Sequence, residues 1–104
     1  MMLGESCSTA LKALSDATRW RIVKTLLGLE RANVNELAAM LQVKQSNVSK
    51  HLRILREAGI VTSSKEGTVV WCRIMPEFRQ RLRHGEKVLD LGCCTFRFGQ
   101  SGRK

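Results

Sequence analysis

Long apolar runs are missing from this sequence: nothing in it approaches the about 18 consecutive apolar residues that a membrane-spanning helix requires. The opening stretch, MMLGESCSTA, lacks the basic n-region and apolar h-region of a secretory leader, so the expected compartment is the cytoplasm and no membrane is expected as a partner. Proline occurs once, which together with a hydrophobic share of 43 % argues for an ordered, mostly helical globule and against disorder. Acids are scarce, 9 against 18 Lys and Arg, and the resulting net charge of +9 asks for an acidic partner, nucleic acid first. No Ser/His/Asp set and no close acid pair offers catalysis, so an enzyme is not expected. At 104 residues the chain is one domain, large enough for a core but short of what most enzymes with two-lobed sites need. The cysteines are four, and in a reducing cytosol they read as thiols, ligands or redox sensors rather than as disulfides.

What is present is organised around residues 34–59. Val48, Leu52 and Leu55 recur at i, i+4 and i+7 and share one narrow helix face. Gln45, Ser46, Ser49, Lys50 and Arg53 gather on another sector, with side chains whose reach suits base edges and phosphates. Ahead of them Val34, Leu37, Ala38 and Leu41 form a shorter apolar pattern, separated by Gln42-Val43-Lys44. Two helices joined by about three residues, with a small residue inside the first, suit a helix-turn-helix whose second helix enters the major groove.

Around this unit the pattern continues in both directions. Leu11 and Leu14 mark a short helix over 6–14, and Ser15-Asp16 offers caps for a second helix carrying Ile22, Val23, Leu26 and Leu27, with Trp20 at the edge of that stripe and a stop near Gly28. After the reading helix, Ala58-Gly59 is a helix stop. Ile60 to Ser64 and Val69 to Ile74 read as a hairpin turned at Gly67, that is, a wing, with Lys65 near its tip and Arg73 on a strand as candidates for phosphate contact. Alternation puts Val70, Cys72 and Ile74 on one face, making Cys72 a small core residue, and Val69, Trp71 and Arg73 on the other. Pro76 suits the first turn of a helix, and Phe78, Leu82, Gly85 and Leu89 after it make a candidate dimer seam unless the helix breaks at Gly85. The tail from Gly99 onward is expected to fray.

Over roughly Leu11 to Ile74 the sequence resembles the arsenic-repressor (ArsR/SmtB) family of bacterial winged-helix repressors. The likeness is carried by LKALSDATR (11–19), NELA (35–38), QSNVSKHL (45–52), LREAGIV (55–61) and the Gly67 wing ending in Trp71-Cys72-Arg73-Ile74. Ala17 stands where a proline is usual and Lys44 where a serine is usual. The resemblance implies a homodimer built through the first and last helices, binding a near-palindromic double-stranded operator as a repressor and released by an inducer. The expected fold is mainly α (α+β): a winged helix-turn-helix with about five helices and a two-stranded β-wing. Within the one domain, 1–15 and 76–92 would be dimerisation helices, 34–58 the helix-turn-helix, 60–74 the wing and 93–104 a cysteine-bearing tail. Candidate DNA-binding residues are Lys44, Gln45, Ser46, Asn47, Ser49, Lys50, Arg53, Lys65 and Arg73.

For an inducer the sequence offers Cys93-Cys94. Neighbouring α-carbons lie ~3.8 Å apart, below the usual disulfide range of about 4.4 to 6.8 Å, so both read as free thiols. Lys87 and Arg97 nearby favour the thiolates, and soft thiolates favour As(III), Sb(III), Cd(II) or Zn(II). Metal-sensing relatives carry cysteines where Ala38 and Met40 stand here, and zinc-type relatives an Asp-x-His pattern that His84, Glu86 and Asp90 do not reproduce. Some arsenic sensors of the family carry an adjacent pair at this location with a third cysteine downstream; here a third ligand would come from Cys7, Cys72 or a partner subunit. No cofactor is required on this reading. A thiol-redox or persulfide sensor of the same fold is the nearest alternative. Lys87 to Cys93 also resembles the first motif of S-adenosylmethionine-dependent methyltransferases and is either helical or extended, but about ten residues follow Cys94, too few for a doubly wound sheet. A winged helix that binds protein instead of DNA is disfavoured by the +9 charge.

Overall fold

The computed structural model describes residues 3–80, 82–83, 88–90 and 95–97, with side-chain surroundings over residues 9–80. Helices α1 (Leu3–Leu14) and α2 (Ala17–Leu27) lead into a short strand β1 (Ala32–Asn33), then α3 (Val34–Leu41), α4 (Gln45–Glu57), β2 (Val61–Glu66), β3 (Val69–Ile74) and α5 (Pro76–Arg79). The winged helix-turn-helix is therefore present, with five helices among the described residues and the helix pair α3 and α4 at the predicted positions.

Local chemistry explains several of these boundaries. Asp16 caps α2: its carboxylate accepts from the backbone N–H groups of Thr18 at 2.8 Å and Arg19 at 3.1 Å, and these bonds, Arg19's first, hold its pKa below the ordinary 3.8. A group whose folded pKa is depressed stabilises above its unfolded value and loses that contribution as the pH falls through the folded value. Asp16→Ala is accordingly expected to cost about 1 kcal/mol at neutral pH. The gap to wild type should close in acid below about pH 4, which urea unfolding at pH 7 and in acid will measure. Asn33 caps α3 reciprocally with Glu36, each accepting from the other's backbone N–H, at 2.8 and 3.1 Å. Gln42 closes α3 in the left-handed region at φ 58, which turns the chain within three residues into α4. Gly59, at φ 80, performs the same service after α4, and Gly67, at φ 66, opens the two-residue turn of the wing.

The wing is longer and its turn tighter than the sequence pattern indicates, because β2 continues through Glu66. It is also broader: β1 pairs antiparallel with β3, Ala32 opposite Cys72 and Asn33 opposite Trp71, giving a three-stranded sheet in the order β1-β3-β2. One core serves helices and sheet alike. Ile22, Val23 and Leu26 of α2, Leu37 of α3, Val48, Leu52 and Leu55 of α4, and Ile60, Val61, Cys72 and Ile74 at the root of the wing are buried together, with Trp20 packed half-buried against them. At about 1.5–3 kcal/mol for each large aliphatic side chain removed from water, this cluster supplies most of the stabilisation. The α4 face predicted for the core, Val48, Leu52 and Leu55, is buried as expected.

The expected helix over 76–92 is corrected. After α5, which is four residues long, the described segments are strands β4 (Leu82–Arg83), β5 (Val88–Asp90) and β6 (Thr95–Arg97), paired antiparallel in the order β4-β5-β6. Glycine at 85 costs about 1 kcal/mol in a helix interior, and the apolar stripe that suggested a helix is used instead in strand pairing, Leu82 opposite Leu89 and Leu89 opposite Phe96. Phe78 is buried in the main core rather than in a seam. Arg79 ties α5 to the end of α2, donating to the carbonyl oxygens of Leu26, Leu27 and Leu29 at 3.0–3.1 Å, and the Leu27 carbonyl is one that the helix end leaves open. Among the described residues no helix is long and apolar enough to cross a membrane.

Candidate nucleic-acid interface

The residues proposed to meet DNA fall into three places. Lys44 precedes α4 as its N-cap residue without making a side-chain cap bond, and Gln45, Ser46, Asn47, Ser49, Lys50 and Arg53 follow along the helix; all seven are exposed. This is one continuous polar and basic surface, opposite the buried Val48, Leu52 and Leu55. Arg53 pairs with Glu57 one turn on, at 3.5 Å. Both partners are well exposed, so such a pair is worth at most about 0.5 kcal/mol, and the guanidinium remains available to a phosphate.

The two wing candidates part company. Lys65 lies opposite Val70 on the sheet face that carries Val61, Cys72 and Ile74, whereas Arg73 lies opposite Thr62 on the other face with Trp71 and Glu66. One duplex surface running along α4 therefore does not meet both from the same side of the wing. The outer face is already organised: Arg31 stacks over the Trp71 ring at 4.1 Å and pairs with Glu66 at 3.0 Å, so the segment before β1 braces the far end of β2. Sequence pattern alone does not find this brace, since its members lie 35 positions apart for the ion pair.

A second cluster missed by sequence reading joins α1, α2 and α4. The Arg19 guanidinium donates from Nε to the carbonyl oxygen of Ala13 at 2.7 Å and approaches His51 Nδ1 at 3.2 Å, linking the end of α1 to the middle of α4. Arg21 similarly donates to the carbonyl oxygen of Leu41 at 2.9 Å, satisfying the end of α3. The two helices of the motif are thus held by guanidinium groups from α2 as well as by the core.

The inducer candidates Cys93 and Cys94, and the side-chain surroundings of Cys7, lie outside the described residues. Cys72 does not suit the role of third ligand: it is fully buried in the core, and that burial pushes its thiol pKa up, against thiolate formation. Among the described residues no three His, Cys, Asp or Glu side chains come together as a metal site.

Comparison with known proteins agrees with this geometry. The family model described as "Bacterial regulatory protein, arsR family" matches residues 16–63, which span α2, the helix-turn-helix and the start of the wing. The arsenic resistance transcriptional regulator ArsR1 of Pseudomonas putida is 38 % identical over 69 residues, covering 66 % of this chain and 54 % of that regulator, so the match spans about half of its length. Among solved structures, HlyU from Vibrio cholerae superposes with a TM-score of 0.68 at 31 % identity, covering 74 % of this chain and 84 % of HlyU. The winged helix-turn-helix domain of Mb0332 from Mycobacterium bovis, described as homodimeric, gives a TM-score of 0.70 at 28 % identity over 77 % of this chain and 73 % of that one.

Proposed function

The chain belongs to the ArsR family of bacterial helix-turn-helix transcriptional regulators, and we propose that it is a dimeric repressor that holds a near-palindromic operator and lets go when a thiophilic metal or metalloid binds Cys93 and Cys94. The observation that carries the DNA half is the two-sided α4, with Val48, Leu52 and Leu55 buried and an unbroken polar and basic face left to solvent. A net charge of +9 supports the same partner. One reading helix covers only a few base pairs; two, related by a two-fold axis and about 34–36 Å apart, reach successive major grooves. The homodimeric description of the Mycobacterium bovis relative supports that arrangement.

The inducer half rests on adjacent soft donors, Cys93 and Cys94, and on the name of the Pseudomonas putida relative, a regulator of arsenic resistance. Ligation near the end of the chain would shift one subunit against the other until the two α4 helices no longer match successive grooves. A coupling of ~1–3 kcal/mol, about 5- to 150-fold in affinity, is sufficient. The test is a binding titration of reduced protein on a fragment of its own promoter, with arsenite, antimonite, Cd(II), Zn(II) and a mild oxidant, repeated on the Cys93→Ser/Cys94→Ser variant. Release of wild type but not of the variant by a soft ion is the expected result, and the ranking of ions names the inducer. Release by the oxidant alone would replace metal sensing with thiol oxidation, and indifference to every agent would leave a repressor without chemistry at these cysteines.

A further inference from the structure

His51 is engaged from one side only. Arginine has donors and no acceptor, so the approach of the Arg19 guanidinium at 3.2 Å requires a lone pair on His51 Nδ1. The neutral ring then carries its proton on Nε2, at its opposite edge. Arg19 is itself fixed, by the 2.7 Å bond from its Nε to the Ala13 carbonyl oxygen and by its backbone N–H on the Asp16 carboxylate, so the tautomer is set by a rigid neighbour. Nε2 has no hydrogen-bond partner among the described residues, although the ring is half-buried. Along α4, His51 follows Lys50 directly and lies one turn beyond Asn47, which puts it at the margin of the exposed face.

We propose that His51 Nε2–H is a neutral donor to a DNA phosphate oxygen beside the groove, and that Arg19 is the positioning residue that keeps the ring in the donating form. The proposal rests on the DNA-binding reading of α4. Phosphate oxygens only accept, and such bonds come from neutral side chains as well as from lysine and arginine. A bond to the DNA backbone is also independent of the operator, so a mixed-sequence duplex about three helical turns long reads it.

The experiment compares wild type with His51→Asn and His51→Gln by salt-dependent titration on that duplex, beside the His51 nitrogen spectrum in protein free and bound. Asparagine keeps an oxygen near the Nδ1 position for Arg19 but lacks the outer donor, whereas glutamine reaches the Nε2 position. His51→Asn is expected to weaken a dimer with two such bonds by about tenfold, with thermal stability kept, and His51→Gln by much less. Because no charge is removed, the slope of affinity against salt stays that of wild type. The wild-type spectrum should show Nδ1 unprotonated and Nε2 protonated in the free protein, and an exchange-protected Nε2 proton only on DNA. Wild-type affinity in His51→Asn, a changed salt slope, or an Nε2 proton equally exposed on DNA would each overturn the proposal. Were His51→Asn to lose its fold, the wild-type spectrum decides alone. Should wild type bind no duplex at all, the repressor reading fails as well, and the free-protein spectrum still separates that outcome from a wrong tautomer.

Discussion

Replacing Lys50 with alanine in both subunits of the proposed dimer lowers affinity for a specific duplex about a hundredfold, the largest effect expected from a single exposed side chain. Lys50 is exposed at the centre of the α4 surface, between Asn47 and Arg53, and no ion pair engages it among the described residues. Removing a charge-assisted hydrogen bond at each of two half-sites, at about 1.5 kcal/mol apiece, gives that factor. Two titrations then separate the roles open to the ammonium group. If it lies on phosphate, the slope of log affinity against log salt falls by about 0.9 for each phosphate no longer neutralised, and binding to specific and mixed-sequence duplexes weakens alike. If it reads a base edge, the slope changes little while discrimination between right and wrong base pairs shrinks by about 1–3 kcal/mol at that position. An unchanged affinity would remove α4 as the reading helix. Arg53→Ala should do less, since its guanidinium already has Glu57 at 3.5 Å and sits one turn further along the helix.

The motif was legible because its signals are local and repeated. Val48, Leu52 and Leu55 recur at helical spacing within eight residues, and Gly59 and Gly67 stand where the backbone must take positive φ. The capping box of Asn33 and Glu36 was missed, although an Asn three positions before a Glu ahead of an apolar pattern is the local signal that could have found it. β1 was not legible: two residues show no period, and the strand exists because β3 offers it Cys72 and Trp71 as neighbours. The C-terminal stripe misled for a related reason. Phe78, Leu82 and Leu89 are spaced as on a helix, yet a glycine among them and the pairing available between 82–83, 88–90 and 95–97 make strands the outcome. Least legible was what steadies the site. Arg31 meets Glu66 across 35 positions and Arg19 meets His51 across 32, meetings that only the fold creates. Lys65 and Arg73 were read together as wing contacts, and only the strand register separates them onto opposite sheet faces.

Leu52→Ala is expected to destabilise the domain by about 2–5 kcal/mol, a large part of the roughly 5–15 kcal/mol that holds a domain of this kind folded. Leu52 is 1 % exposed. It lies midway along α4, the helix that packs on α2, α3 and β2 together, so the space it leaves is walled by elements that are themselves fixed. Arg19 and His51 pin α4 to α2, and the carbonyl of Leu55 accepts the N–H of Ile60 at 3.0 Å where the wing begins. The walls therefore have little freedom to collapse inward, which puts the cost toward the upper half of the range. Thermal unfolding should show a midpoint lower by roughly 10 °C or more. Leu52→Met, which keeps the volume, should cost less than about 1.5 kcal/mol. The same pair of variants separates the two faces of the helix. At a temperature where Leu52→Ala is still folded, its DNA affinity should fall below wild type, because the polar face is aimed by the apolar one, while Leu52→Met binds as wild type does. A Leu52→Ala protein with wild-type stability would mean that the space closes, and that α4 is held by its guanidinium ties more than by its core side chains.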